Sequence, residues 1–136
     1  MREDDVGAAN AAFYAAFEAG DLDAMADVWE QSDRARVTHP GWPTLHGWEK
    51  VAGSWRAIFS NTPYIQFVLT DEQMLVVEDL AVVTLDENIL QATGTDGAAA
   101  TPDLSAARVA ATNVFVQHEG RWRMVHHHGS PVGADG

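Results

Sequence analysis

The sequence predicts an α+β fold in which two or three helices pack on one face of an antiparallel sheet. Apolar residues recur at helical spacing up to Ser60, and they alternate with polar residues from Tyr64 onward. Two of the three separators between the predicted strands are short, at Glu78-Asp79 and Glu119-Gly120, as in antiparallel hairpins. The length of 136 residues suits one domain over 1–136, with a frayed tail over 132–136.

Two helices are predicted before the first polar break. The first runs from about residue 5 to residue 19, and Gly20 ends it because glycine is favoured after a helix. Asp21 then has a side chain suited to cap the second helix. The apolar positions that define the two helices are Val6, Ala9, Phe13, Ala16, Phe17, Leu22, Met25, Val28 and Trp29.

A rigid, aromatic segment from Val37 to Trp48 leads into the third predicted helix. It holds two prolines, two glycines, two tryptophans and two histidines, a composition that suits a cavity mouth better than a solvated linker. A short strand over 35–39 enters it, and a helix over 47–60 follows. Pro63 ends that helix because proline cannot continue it.

Four strands are predicted over 64–77, 80–92, 107–119 and 121–128, with a long loop over 93–105 that is either a mobile lid or a hairpin tip. Alternation puts Trp122, Met124, His126 and His128 on one face of the last strand, which we expect to face inward. In the preceding strand, Asn113 is the polar member of an otherwise apolar face. A buried amide must find a hydrogen-bond partner or bind a ligand, and both remain open.

Composition and charge exclude several classes of function. A formal charge of −12 opposes binding to nucleic acids and to anionic membranes. The chain has no cysteine, no apolar run of membrane-spanning length and an acidic N-terminus, so we expect a cytoplasmic protein without disulfides. Nucleophile elbow, phosphate loop, dinucleotide-binding and metalloprotease motifs are absent, and no cofactor is expected.

Aromatic residues are abundant, with five tryptophans in a small domain. Such residues at helical spacing usually form a core, but their number also fits a deep apolar cup for a small neutral, hydrophobic ligand. The candidate ligand-binding residues are Phe13, Tyr14, Phe17, Trp29, Trp42, Trp55, Phe59 and Phe115.

Histidines and acids offer further chemistry. The triplet 126–128 suggests a metal site if His39 converges with His126 and His128, although no metal-ligand spacing motif is present. The acids of Asp86-Glu87-Asn88 interrupt an apolar strand, and they either face solvent or point into the cup as an acid or base.

Several short motifs together resemble the SnoaL-like branch of the nuclear transport factor 2-like superfamily. They are AFEAGDLDA over 16–24, Trp29, the His39-Pro40 turn, Gly47-Trp48-Glu49 and GRWRMVHHH over 120–128. The resemblance implies a cone-shaped fold in which a strongly curved antiparallel sheet wraps round a long helix and leaves a pocket. It also implies a homodimer through the sheet. Ketosteroid isomerases, polyketide cyclases, epoxide hydrolases, dehydratases and a kinase association domain share this fold, so the fold leaves the function open.

The ketosteroid isomerase pattern matches this chain only in part. The position of the isomerase's aspartate base corresponds to His39, that of its oxyanion tyrosine to Phe13, next to Tyr14, and that of its protonated aspartate lies near Asn113. These replacements argue against steroid isomerisation. The resulting hypothesis is isomerase, cyclase or dehydratase chemistry on a neutral ketone or polyketide-like molecule. His39 would be the base, Asn113 the oxyanion donor, and His126 or His128 a second acid or base. The alternative is a non-catalytic ligand-binding or homo-oligomeric association module.

Overall fold

The computed structural model describes residues 2–92 and 104–133. Its elements in chain order are α1 Arg2–Ala19, α2 Leu22–Val28, β1 Arg36–Thr38, β2 Leu45–His46, α3 Trp48–Asn61, β3 Tyr64–Val77, β4 Leu80–Ala92, β5 Leu104–His118 and β6 Arg121–Pro131. The predicted order of helices followed by long strands is therefore confirmed, and the bounds of β3 and β4 agree with the sequence pattern.

The strands form one curved six-stranded sheet in the order β2-β1-β6-β5-β4-β3. The four long strands form the predicted antiparallel meander. However, β1 pairs parallel to β6, with Val37 opposite His127, so the sheet is mixed rather than purely antiparallel. The α+β cone is confirmed. We call the face that packs on the helices the inner face, and the opposite face the outer face.

The corner between α1 and α2 has the predicted chemistry. Gly20 ends α1 with φ of 62°, a conformation that glycine adopts without strain. The Asp21 side chain accepts a hydrogen bond from Ala24 N at 3.1 Å and so caps α2. This tight corner leaves Phe13 and Met25 buried in one core with Trp29 and Trp55.

Several boundary predictions differ from the structure, since α1 begins at Arg2 rather than near residue 5 and β6 runs to Pro131 rather than to residue 128. Strand β5 begins at Leu104 rather than near residue 107, and the rest of the predicted loop, 93–103, lies outside the described residues. Val132 N donates to Arg108 O at 2.9 Å, so this part of the predicted frayed tail is hydrogen-bonded, whereas 134–136 lies outside the described residues. None of the three described helices combines the length and hydropathy that a membrane-spanning segment requires.

Candidate functional site

A buried polar network joins α1 to the inner face of the sheet, with Asn113 at its centre. Asn113 Nδ2 donates to Asn10 Oδ1 at 2.9 Å and to Tyr14 Oη at 3.2 Å. Asn113 Oδ1 and His127 Nδ1 are 2.6 Å apart. All four side chains are buried. Both amide hydrogens of Asn113 are therefore committed, and they cannot also bind a ligand oxyanion while these contacts persist.

Glu87 extends the network from β4. Tyr14 Oη donates to Glu87 Oε2 at 2.5 Å, and both side chains are buried. Burial raises the pKa of Glu87 to about 7, although the tyrosine hydrogen bond opposes part of this rise. Burial and the neighbouring Glu87 also raise the pKa of Tyr14, which therefore keeps its proton. Glu87 is consequently able to gain or lose a proton near neutral pH.

His39 lies at the end of β1 and contacts Ser54 of α3. Its Nε2 is 2.9 Å from Ser54 Oγ, which donates its hydroxyl hydrogen to Val51 O at 2.6 Å. Because a serine has one hydroxyl hydrogen, His39 Nε2 must be the donor in the first contact. Burial lowers the pKa of His39 to about 4. His39 is thus neutral at pH 7, with an unprotonated Nδ1.

His127 has the opposite tautomer. Asn113 Oδ1 can only accept a hydrogen bond, so the hydrogen lies on His127 Nδ1. Burial holds the pKa of His127 well below its usual value, with a smaller effect from His39. The two imidazole centroids are 6.4 Å apart. The interior therefore holds two neutral imidazoles, each with a lone pair that can accept a proton or a hydrogen bond.

Aromatic side chains close the interior around these groups. The Trp55 centroid lies 4.7 Å from that of His39 and 6.1 Å from that of His127, and Phe13 lies 4.8 Å from His127. Phe13, Phe115 and Asn113 are 0% exposed, so no water-sized cavity touches them. Over residues 2–92 and 104–133, the walls of the predicted cup therefore pack against one another around Asn113.

The remaining candidate ligand-binding residues occupy different environments. Trp29 is fully buried, with its ring 6.5 Å from that of Trp55. Phe17 and Phe59 are half-buried and pack on Trp55 at centroid distances of 4.9 and 5.9 Å. Trp42 is 40% exposed, and its ring lies 5.0 Å from that of His39. Trp42 therefore covers His39 from the solvent side.

The prediction that His126 and His128 face inward is wrong. Val114 pairs with His126 and Phe115 with Met124, so Val125 is an unpaired bulge residue that interrupts the alternation. His127 consequently faces inward, while the rings of His126 and His128 stack 6.3 Å apart on the outer face. The metal alternative fails with it, because His39 lies inside the fold. Over 2–92 and 104–133, no cluster of three or more potential ligands could hold a metal ion.

The sequence analysis left the orientation of Glu87 open and missed Asn10, Ser54 and the inward position of His127, although the first three residues had a usable signal. Glu87 lies two residues after Leu85 and four after Val83, both of which are buried. Strand alternation therefore places the Glu87 side chain on the inner face as well. Asn10 lies on the apolar stripe of α1, and Ser54 lies one turn after Val51. No sequence signal indicated that His127 faces inward, because strand alternation does not predict the bulge at Val125.

The described surface also has two open depressions. A groove of about 530 Å³ on the outer face includes Val68, Leu90 and Arg108. A crevice of about 320 Å³ between α2 and α3 is lined by Leu22, Asp23, Met25, Ala26, Trp48, Ala52, Trp55 and Arg56. Trp55, one of the residues that line the crevice between α2 and α3, also packs on His39 at a centroid distance of 4.7 Å.

Known proteins resemble this chain over most of its length. A Streptomyces avermitilis protein of the nuclear transport factor 2-like family, with a provisional dehydratase assignment, is 39% identical with a TM-score of 0.87, and 96% of each chain is covered. A Thiobacillus denitrificans protein, provisionally assigned as a calcium/calmodulin-dependent protein kinase type II association domain, is 34% identical with a TM-score of 0.78, covering 93% and 94% of the chains.

A curated relative shows the same similarity in a longer protein. F-box protein SKIP8 from Arabidopsis thaliana is 31% identical over 121 residues, which are 89% of this chain and 47% of the relative. The chain thus spans about half the length of that relative. The sequence profile of the SnoaL-like domain matches residues 6–134. The chain therefore belongs to the SnoaL-like domain family, within the nuclear transport factor 2-like superfamily.

Proposed function

We propose that this protein catalyses proton transfer on a small, neutral, hydrophobic compound, in an isomerisation, cyclisation or dehydration. The observation that carries the proposal is the set of buried titratable groups His39, Glu87, Tyr14 and His127, three of which are joined through Asn113. Burial of such groups opposes stability, and they concentrate at functional sites.

The residues have distinct roles in this proposal. The unprotonated Nδ1 of His39 is the candidate base, and its basicity rises when the site opens and the imidazole is hydrated. Glu87, with its pKa near 7, is the candidate acid, and Tyr14 is positioned against it. In a dehydration, the base takes the proton next to a carbonyl, a C=C bond forms, and the C–OH bond breaks. The hydroxide leaves as water with the proton of the acid.

Two observations support a neutral, hydrophobic substrate. The chain has a net charge of −12, which disfavours anionic ligands, and the network is surrounded by aromatic rings rather than by cationic side chains. The provisional dehydratase assignment of the Streptomyces protein agrees with an elimination. Because the described residues bury this network, the proposed substrate requires side chains around it to move before it can enter.

The proposal is tested with the aldol adduct of benzaldehyde and acetone, whose dehydration to benzalacetone is followed by absorbance. We expect the parent protein to accelerate this elimination and His39→Gln to abolish the acceleration, because glutamine keeps the donor to Ser54 but has no base. The exposed His128→Gln is the matched control and should retain the parent rate. A parent rate equal to that of buffer would contradict the proposal for this substrate class.

A homodimeric association module is the second candidate, because the outer face of the sheet carries an exposed apolar patch. Leu75, Val77 and Leu80 are 61%, 53% and 43% exposed, and cross-strand pairing places Val82 and Val114 in the same patch. A second copy that covers the patch would explain this exposure, and the provisional assignment of the Thiobacillus protein agrees with assembly. Sedimentation should show a dimer that Val82→Glu dissociates, whereas a monomeric parent protein contradicts this candidate.

A further inference from the structure

The buried face of α3 carries one polar side chain, that of Ser54. The other buried residues of this helix are Val51 and Trp55. The Ser54 side chain is 4% exposed, and its hydroxyl donates to Val51 O one turn earlier in the same helix. Serine is a weaker helix former than alanine, and a back-bond of this kind slightly destabilises a helix. Helix stability alone therefore does not favour serine over alanine at position 54.

The second contact of Ser54 fixes which nitrogen of His39 carries the hydrogen. Ser54 Oγ lies 2.9 Å from His39 Nε2. The single hydroxyl hydrogen is already bonded to Val51 O, so Oγ offers only a lone pair to the imidazole. The opposite tautomer would place two lone pairs against each other unless Ser54 turned its hydrogen away from Val51 O. That turn would forfeit one hydrogen bond, so the tautomer with a lone pair on Nδ1 is favoured.

The aromatic neighbours of His39 hold the plane of its ring but do not distinguish its nitrogens. The rings of Trp42 and Trp55 lie 5.0 and 4.7 Å from the imidazole, at interplanar angles of 73° and 85°. A half-turn of the imidazole about its bond to Cβ exchanges nitrogen and carbon atoms and leaves the ring shape almost unchanged. Within residues 2–92 and 104–133, the hydrogen-bond partner of the His39 side chain is Ser54. This hydrogen bond therefore selects both the orientation and the tautomer of the ring.

We propose that Ser54 is a positioning residue that keeps Nδ1 of His39 as the basic nitrogen of the proton transfer. Ser54 acts through His39 and has no contact of its own with the substrate. When the proton from the substrate carbon forms the Nδ1–H bond, the imidazole becomes a cation, and the bond from Nε2–H to Ser54 Oγ becomes charge-assisted. Ser54 thus orients the base before the transfer and stabilises its charge afterwards. This inference rests on the proposed function, because it names the residue that orients the same base.

Nitrogen NMR of the His39 imidazole tests the selection of the tautomer without any substrate. In the parent protein, Nε2 should have the chemical shift of an N–H nitrogen, and Nδ1 that of a nitrogen with a lone pair. Ser54→Ala should give intermediate shifts at both nitrogens, because neither tautomer is selected. Ser54→Thr keeps a hydroxyl that can bond to the helix carbonyl and should restore the parent shifts. Ser60→Ala, at an exposed position of the same helix, is the matched control. Parent shifts in Ser54→Ala would overturn the inference.

Elimination of the aldol adduct tests the consequence for the rate. Ser54→Ala should lower kcat about fivefold, the effect of one hydrogen bond, and leave KM unchanged because no substrate contact is lost. Ser54→Thr and Ser60→Ala should keep the parent kcat. If Ser54→Thr does not fold, the comparison of Ser54→Ala with the parent protein and with Ser60→Ala decides the result.

The two measurements separate this inference from the proposed function. Intermediate nitrogen shifts in Ser54→Ala with an unchanged kcat would overturn the positioning role, and a change in KM alone would indicate a substrate contact instead. A parent protein without elimination activity would contradict the proposed function for this substrate class. Intermediate shifts in Ser54→Ala would even then support the selection of the His39 tautomer by Ser54.

Discussion

His127 and its neighbours His126 and His128 are identical side chains on one strand with opposite environments. His127 is 2% exposed and bonded to Asn113, whereas His126 and His128 stack on the outer face beside solvent. A single bulge residue, Val125, decides which of the three enters the core. The chemistry of a histidine on this strand therefore depends on its face of the sheet, and the inner face holds the groups whose protonation is coupled to folding.

The largest expected difference between the two faces concerns adjacent residues of β5. Asn113→Ala removes the partner of His127 Nδ1–H and of Tyr14, and should lower the free energy of unfolding by about 4 kcal/mol, since each unpaired buried group costs about 1–3 kcal/mol. Thr112→Ala on the outer face should change it by less than about 0.5 kcal/mol. Urea titration measures both. Equal losses of unfolding free energy would mean that the inner network contributes no more to stability than the outer face does.

Acid should weaken the protein through the inner histidines. His39 has a pKa of about 4 when folded and 6.5 otherwise, so the stability present above pH 6.5 is lost as the pH falls toward 4. The loss is about 3 kcal/mol, at 1.36 kcal/mol per pKa unit. His39→Gln should be less sensitive to acid by this amount in urea titrations at pH 7 and pH 4, whereas His128→Gln should follow the parent. An unchanged pH profile in His39→Gln would refute the buried neutral imidazole.

Glu87 should have the opposite effect on the pH dependence of stability. Its folded pKa of about 7 lies above the ordinary value of 4.5, so its full contribution is present below pH 4.5 and is lost as the pH rises through 7. Glu87→Gln should therefore gain about 3 kcal/mol relative to the parent between pH 4.5 and pH 8, by the same conversion. Asp86→Asn on the outer face removes an exposed ion pair with Arg108 and is the matched control. A gain of stability in Asp86→Asn but not in Glu87→Gln would contradict the burial of the Glu87 carboxylate on the inner face.

The smallest effect is expected where the inner face of β6 meets the turn after His39. A Cβ on Gly129 would lie 3.0 Å from Val109 Cγ1 and 3.3 Å from Pro40 Cγ, so Gly129→Ala must displace one of them. We expect a loss of about 1–2 kcal/mol, typical of overpacking. Gly133→Ala, with no heavy atom within 4 Å, should be neutral in thermal unfolding. If Gly129→Ala unfolds at the same temperature as the parent protein, Pro40 can shift at little cost in free energy.

Sequence patterns predicted the fold well because alternation and helical spacing depend on local residues alone. The strands β3 and β4 and the Gly20-Asp21 corner followed directly from them. The position of Asn113 on an inner face also followed, but its hydrogen-bond partners did not, since Asn10 and Tyr14 are about a hundred residues away in sequence. The bulge at Val125 and the filling of the cup depend on three-dimensional packing, and no periodicity encodes either.

The tautomers of the two inner histidines test the central claim most directly. Nitrogen NMR of the imidazoles at pH 7, assigned with His39→Gln and with substitutions of His127, distinguishes the protonated nitrogen of each ring. The hydrogen bonds require His39 to carry its hydrogen on Nε2 and His127 on Nδ1, with both rings neutral and one lone pair free on each. A His39 ring protonated on Nδ1, or a charged His127, would contradict the assignment of these imidazoles as proton acceptors for a ligand.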